Sequence, residues 1–275
     1  MAANLGRSDV ELVVFDAAGT LDRAPVSARA ADSLADLAAS SETVFLSLPD
    51  GAAVLDVVAG LDATPRRAVE TVVDLSTVGI DLARQAYEVA RAAGISYIDA
   101  PVSGGRSGAL AATISVMWAG PADVLESHRS ELEAMAKHVF HVGTKAGQGQ
   151  ALKLLNNYLS ATATAATAEA VLFGLAQGLQ FETILDVVNV STGRSNASAV
   201  KFVDRVLTGT FDSGFATGLM AKDVRLFVDA ADAADTPHEI AASVSTLWDA
   251  VDDGLPGSDH TEVFPFLRDQ RRPSA

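Results

Sequence analysis

From Gly147 to Gly178 the chain reads GQGQALKLLNNYLSATATAATAEAVLFGLAQG, with no proline and with small or apolar residues on nearly every side. At about 3.6 residues per turn, this predicts roughly eight turns of unbroken helix. A helix without a broad polar face is one that neighbours bury. The stretch also separates two halves of different character. Ahead of it, short β-branched runs alternate with longer alanine-rich periodic segments. Strands are expected over 11–16 (ELVVFD), 43–49, 71–77, 96–101 and 112–120, with helices over 28–39, 51–59, 79–93 and 121–136. Behind it no strand signal survives, and helices are expected over 181–190, 197–208, 219–234 and 236–253, followed by a frayed QRRPSA tail. Apolar strands separated by helices predict right-handed crossovers and a mainly parallel sheet covered on both faces. The expectation is an α/β domain over 1–146 and an all-α domain over 147–275 that begins with the long helix.

Composition narrows the functional classes. With 275 residues, 49% hydrophobic and 20% charged, the chain has the make-up of a globular protein able to bury a large core. A formal net charge of -15 disfavours nucleic acid or an acidic membrane as partner, since either needs a basic face. The absence of cysteine excludes disulfides, thiolate catalysis and cysteine-based metal sites. No signal peptide opens the chain, and no uncharged run reaches the roughly 18 residues of a membrane span, so a cytoplasmic protein is expected.

Three segments carry chemistry. In VELVVFDAAGTLDR, residues 10–23, an apolar strand ends in Asp16, which suits a phosphotransferase nucleophile or an acid that holds ribose hydroxyls. In YIDAPVSGGRSGA, residues 97–109, a strand runs into Ser103, Gly104 and Gly105, a hydroxyl beside unobstructed amides that forms an anion nest able to take a carboxylate. The alternative is a plain glycine turn. In GQALKLLNNYL, residues 149–159, Lys153 and Asn157 are four apart on one helix face among leucines. A lysine withdrawn from water has its pKa lowered and can exchange protons near neutral pH; otherwise it snorkels from an apolar helix.

In this order DAPVSGG, GQALKLLNN and LMAKDVRL (219–226), with FLSLPDGAAV (45–54), DLSTV (74–78) and ATISVMWAG (112–120), resemble the β-hydroxyacid dehydrogenase family. Its types include 3-hydroxyisobutyrate dehydrogenase and tartronate semialdehyde reductase, and the resemblance runs from Met1 to about Leu267. It implies a Rossmann-type N-terminal domain, a long interdomain helix and a helical C-terminal domain through which subunits pair as a homodimer or homotetramer. It implies NAD, with NADP possible, and a small hydroxyacid or semialdehyde as substrate. By resemblance Ser103, Gly104 and Gly105 bind the substrate carboxylate, Lys153 exchanges a proton with the substrate oxygen and Asn157 orients both. Asp16, Leu48, Pro49, Ser76, Thr77 and Lys222 fall to the cofactor, Lys222 closing the site near the nicotinamide. No metal is needed, and the five histidines form no close ligand pair. Arg106, Trp118 and the TGRS turn at 192–195 are candidate pocket neighbours or plain surface, core and capping residues.

The family opens with a strand, a GxGxxG loop and a helix that commonly reads MGxPMAANL; this chain opens MAANL. The expectation is that the first strand and the phosphate-cradling glycines, on the order of 15 residues, are missing ahead of Met1. ELVVFD is then the family's second strand and Asp16 the ribose acid that favours NAD. Without that loop the chain is expected to be impaired in cofactor binding, so a cofactor-free, non-catalytic relative is the alternative. FDAAGTLD also resembles the first motif of haloacid dehalogenase-type hydrolases. There Ala18 stands where most such phosphatases carry a second aspartate, and nothing downstream supports that reading.

Overall fold

The computed structural model describes residues 1–8 and 10–270. They form two compact units, Met1–Lys153 and Leu154–Ala275.

The first unit is built on strands β1 (Val13–Val14), β2 (Arg29–Ala30), β3 (Thr43–Leu46), β4 (Thr71–Asp74), β5 (Ser96–Asp99), β6 (Val102–Ser103), β7 (Ile114–Ala119) and β8 (Ala136–Gly143). β3, β4 and β5 are parallel neighbours, as the alternation of strands with helices Gly51–Asp62 and Ile80–Ala92 requires. The alternation also sorts the side chains. Val72 and Tyr97 face one apolar cluster with Leu61, Val58 and Ala86, whereas Val73 and Ile98 face the other with Trp118, Leu132 and Met135. Both faces of the sheet are therefore covered, and each strand is apolar on both sides.

Beyond β5 the parallel expectation fails. β7 runs antiparallel to β5 and β6, with Asp99 opposite Ala119, Val102 opposite Val116 and Ser103 opposite Ser115. This constant register makes β5 and β6 one strand interrupted at Ala100–Pro101, where proline has no N–H to give the ladder. Only the short helix Gly105–Ala111 separates β6 from β7, less than the dozen or so residues a parallel crossover needs, so the chain must reverse. β8, parallel to β7, was not expected: its sequence AKHVFHVG breaks the apolar run with a lysine and two histidines, as an edge strand tolerates. Two further expectations need correction. The segment 28–39 starts with β2 and becomes helical only from Leu34, where Ser33 caps Asp36 N, and the helix expected over 121–136 is broken at His128 into Ala122–Ser127 and Arg129–Met135. The strand expected over 11–16 is reduced to β1, which pairs only with β2 among the described residues.

The long helix spans Gln148–Ala176 and ends where Gly178, at φ +80°, turns the chain and Leu179 N returns to Gly174 O. The second unit adds helices Phe181–Asn189, Thr217–Ala233, Glu239–Gly254 and Val263–Gln270, the last beyond those expected, and a π-helical segment Ala197–Val206. Its core joins Ala161, Ala168 and Val171 of the long helix to Phe202, Val224, Trp248, Val251 and Phe264. Of the QRRPSA tail, only Gln270 lies within the described residues.

Candidate active site

The loops at the C-terminal ends of β3 and β4 are tied together. Asp74 closes β4 with its carboxylate buried, accepting from Ser76 N at 2.9 Å and from Tyr97 Oη at 2.6 Å. Burial is the dominant influence and raises the Asp74 pKa. The turn so made presents Ser76 Oγ to Leu48 N at 2.9 Å. Two of the segments expected to hold a cofactor, Leu48–Pro49 and Ser76–Thr77, are thus joined by a direct hydrogen bond.

Asp16 lies two residues beyond β1, with Oδ1 accepting from Ala18 N and Oδ2 paired with Arg23 at 2.8 Å. The Ala18 amide, then Arg23, hold its pKa below the usual carboxylate value, so it is anionic at neutral pH. A half-exposed carboxylate after a parallel strand fits a ribose diol, and the linked Leu48 and Ser76 turns lie at the C-terminal ends of β3 and β4, where open α/β sheets bind such ligands. The residues present therefore fit the nucleoside and nicotinamide portions of a dinucleotide. Among the described residues no GxGxxG turn joins a strand to a helix, so they supply no such cradle for the pyrophosphate.

The substrate-side turn follows from β6. Gly104 at φ +130° and Gly105 at φ +63° take conformations that a side chain disfavours, which aims successive amides outward beside Ser103. A Cβ on Gly104 would meet Ile114 Cα at 3.2 Å, whereas nothing lies within 4 Å of one on Gly105. The open side of the nest is therefore at Gly105. Arg106 is exposed, and Trp118 is fully buried in the sheet's core, so of the two only Arg106 is available to a ligand.

Lys153 and Asn157 occupy successive turns of the long helix, 8% and 7% exposed. The helix start is held by residues that sequence reasoning missed, Asp99 and Gln150, both fully buried. Asp99 Oδ2 accepts from Gly147 N at 2.8 Å and Gln150 N at 3.2 Å, and burial pushes its pKa up to about 6. In the second unit Asn157 Nδ2 donates to Asp223 Oδ2 at 2.6 Å, and Lys222 Nζ lies 3.4 Å from Asp223 Oδ1. Asp223, 2% exposed, thus gathers Asn157 and Lys222 around one carboxylate. An acid directly after Lys222 in LMAKDVRL is the signal that would have found it. The TGRS turn is a capping turn: Ser195 and Ser198 exchange backbone N–H donation to each other's hydroxyl at the start of the π-helical segment.

A second lysine was also not anticipated. Lys201, in the π-helical segment, donates to Ser160 Oγ at 2.8 Å and Thr164 Oγ1 at 3.2 Å, and burial lowers its pKa to about 8. Because the unfolded chain keeps that proton up to about pH 10.5, it binds more protons than the folded chain between those values. Stability should therefore rise from pH 8 towards pH 10. Thermal melts across that range should show the rise in the natural protein and a flatter course in Lys201→Met; equal slopes would remove Lys201 as its source.

Comparison with known proteins agrees with this architecture. Residues 1–143 match the family model for the NAD-binding domain of 6-phosphogluconate dehydrogenase. Residues 147–267 match the model described as NAD-binding of NADP-dependent 3-hydroxyisobutyrate dehydrogenase. Among curated relatives, 2-(hydroxymethyl)glutarate dehydrogenase of Eubacterium barkeri is 33% identical over 90% of this chain and 84% of its own length. The 3-hydroxyisobutyrate dehydrogenase of Pseudomonas aeruginosa is 31% identical over 96% of this chain and 94% of its own. The solved 3-hydroxyisobutyrate dehydrogenase of Mycobacterium tuberculosis with L-serine superimposes with a TM-score of 0.89 at 30% identity, covering 97% of this chain and 94% of that one.

Proposed function

The chain belongs to the 3-hydroxyisobutyrate dehydrogenase family of NAD(P)-dependent oxidoreductases, and from that premise we propose that it interconverts a small β-hydroxyacid and its semialdehyde with lysine-assisted proton transfer. What supports this reading is that one compact unit carries both a positive-φ glycine turn beside Ser103 and the buried Lys153. NAD, when bound, supplies the hydride acceptor. The protein's own groups do the rest. The amides of the Ser103–Gly105 turn and the Ser103 hydroxyl hold the substrate carboxylate, which fixes the orientation of the neighbouring carbons. Lys153 Nζ in its neutral form takes the hydroxyl proton as the alcohol is oxidised and returns it in the reverse direction. Asn157, its amide fixed by Asp223, orients the substrate oxygen.

Exposed Leu155, Leu159 and Phe173 on the long helix, with Val187 and Val190 nearby in sequence, support a second copy of the chain as the partner of the helical unit. Purified protein incubated with NAD and a panel of three- to six-carbon β-hydroxyacids tests the activity by the growth of NADH absorbance. Turnover confined to acids with a free carboxylate and a β-hydroxyl supports the reading; turnover of simple alcohols at equal efficiency, or none with any hydroxyacid, overturns it. Ser103→Ala is expected to raise KM about ten-fold, the equivalent of roughly 1.4 kcal/mol, with kcat little changed, since the bond it loses is present in ground and transition state alike. A fall in kcat with unchanged KM would move Ser103 from holding the carboxylate to the chemical step.

A further inference from the structure

Gln150 makes every hydrogen bond its amide can make, three to the turn after β4 and one to the end of β5. Its Oε1 accepts from Val78 N at 2.9 Å and Gly79 N at 3.2 Å. Its Nε2 donates to Ser76 O at 3.0 Å and to Asp99 Oδ1 at 2.9 Å. The other oxygen of Asp99 receives Gly147 N and Gln150 N, the first amides of the long helix. The Gln150 side chain is fully buried, so water cannot substitute for any of these partners.

Three segments with proposed roles converge on this one amide. Ser76 belongs to the turn after β4 that is tied to Leu48. Asp99 ends β5 and is followed, through Pro101, by Ser103 and the glycine nest. Lys153 stands three residues after Gln150, on the next turn of the same helix and about 4.5 Å along its axis. We propose that Gln150 is a positioning residue, which through its four hydrogen bonds and its partner Asp99 sets the placement of Lys153 relative to the Ser76 turn and the Ser103 nest. This rests on the proposed roles of Lys153 and Ser103. Gln150 touches no reacting atom; it acts by keeping the reactive amine and the carboxylate nest in one register.

The chemistry asks for an amide here. Val78 and Gly79 need an acceptor while Ser76 O and the Asp99 carboxylate need donors, and among side chains only a carboxamide offers two of each. An apolar side chain of the same length leaves four buried polar groups without partners. A glutamate leaves Ser76 O without a donor and sets two carboxylates against each other.

Three variants test this: Gln150→Met, Gln150→Glu, and the double variant Asp99→Asn with Gln150→Glu. In the double variant the donor and acceptor of the contact exchange sides. The introduced asparagine can donate through its Nδ2 to the introduced glutamate, while its Oδ1 still accepts from the two backbone amides at the helix start, and only Ser76 O loses a partner. With NAD and the hydroxyacid turned over by the natural protein, assayed well below each melting midpoint, Gln150→Met is expected to lower kcat about a hundred-fold. Gln150→Glu should approach the natural kcat at pH 5.5, where the glutamate can hold a proton, and fall away by at least about ten-fold by pH 8. The double variant should recover about ten-fold of that loss at pH 8. Variants that melt lower yet keep kcat within about two-fold, with pH profiles parallel to the natural one, would reduce Gln150 to a purely structural residue and overturn the proposal.

If the natural protein oxidises no hydroxyacid, the proposed function fails and the positioning role of Gln150 is decided by amide exchange in Gln150→Met. Faster exchange in peptides covering 76–79, 100–105 and 147–153 together, with 51–62 unchanged, supports it. Faster exchange limited to 76–79 overturns it.

Discussion

Lys153→Ala is expected to lower kcat by about 10²–10⁴-fold, the usual yield of a positioned acid–base group, while KM for the hydroxyacid changes little. The reason lies in burial. Lys153 is 8% exposed, so little of the side chain is open to bulk solvent that could take over its proton transfer. Lys153→Arg should fare little better than alanine: guanidinium keeps the positive charge but does not give up its proton in this pH range. Stopped-flow and steady-state measurements of NADH formation check both variants. A Lys153→Ala enzyme with natural kcat would show that the oxygen's proton leaves by another group, and the proposed chemistry would have to be assigned elsewhere.

Gly149→Ala is expected to destabilise the protein although it adds a single methyl group to a helix. By helix propensity alone, alanine should stabilise by about 1 kcal/mol over glycine. Here the methyl would lie 2.7 Å from Met117 O, 2.9 Å from Asp99 O and 2.8 Å from Pro101 Cδ. Two of these are backbone atoms of β7 and β5, so no side chain can swing away to relieve them. The helix start must lift from the sheet, and the amides that Gly147 and Gln150 give to Asp99 are pulled from it. Overpacking against two rigid backbone oxygens costs about 3 kcal/mol, which less the propensity gain leaves about 2 kcal/mol and, at roughly 2–4 °C per kcal/mol, lowers the melting midpoint by about 4–8 °C. NAD-linked turnover should fall with it, because Lys153 follows one turn later. A melt unchanged or raised would mean that the helix start is not seated against the strands.

The two substitutions mark the line between what was legible and what was not. Ser103, Lys153, Asn157 and Lys222 stand in motifs whose order and spacing resemble those of a known family, and the roles expected of them come from that resemblance, since each motif alone also fits a plain turn or an apolar helix. The residues that hold them were not legible. Gln150 looks like any polar residue in a helix, and Asp99 like any acid at the end of a strand, until the strand-end turn and the helix start are seen to meet on them. Asp223 reads as an acid next to Lys222 in a helix, and only the fold shows that it receives Asn157 as well. Lys201 could not be singled out at all, since its partners Ser160 and Thr164 are some forty residues away in sequence and the π-helical turn that delivers it has no sequence signature.

By itself the sequence determined the division into a strand-and-helix half and a helical half joined by one long helix. Apolar strands alternating with amphipathic helices can bury their faces only as a helix-covered sheet, and the proline-free alanine-rich run after Gly147 can only be a long helix. Only the tertiary structure decided that β7 and β8 reverse the sheet, because the antiparallel pairing of Val102 with Val116 and Ser103 with Ser115 is chosen by a connection too short to cross over. It alone decided where the helix bearing Lys153 begins against the strands. That position is set by the closeness of a glycine to two backbone carbonyls and by one buried amide with four partners, contacts between residues up to 74 apart in the chain that no local pattern encodes.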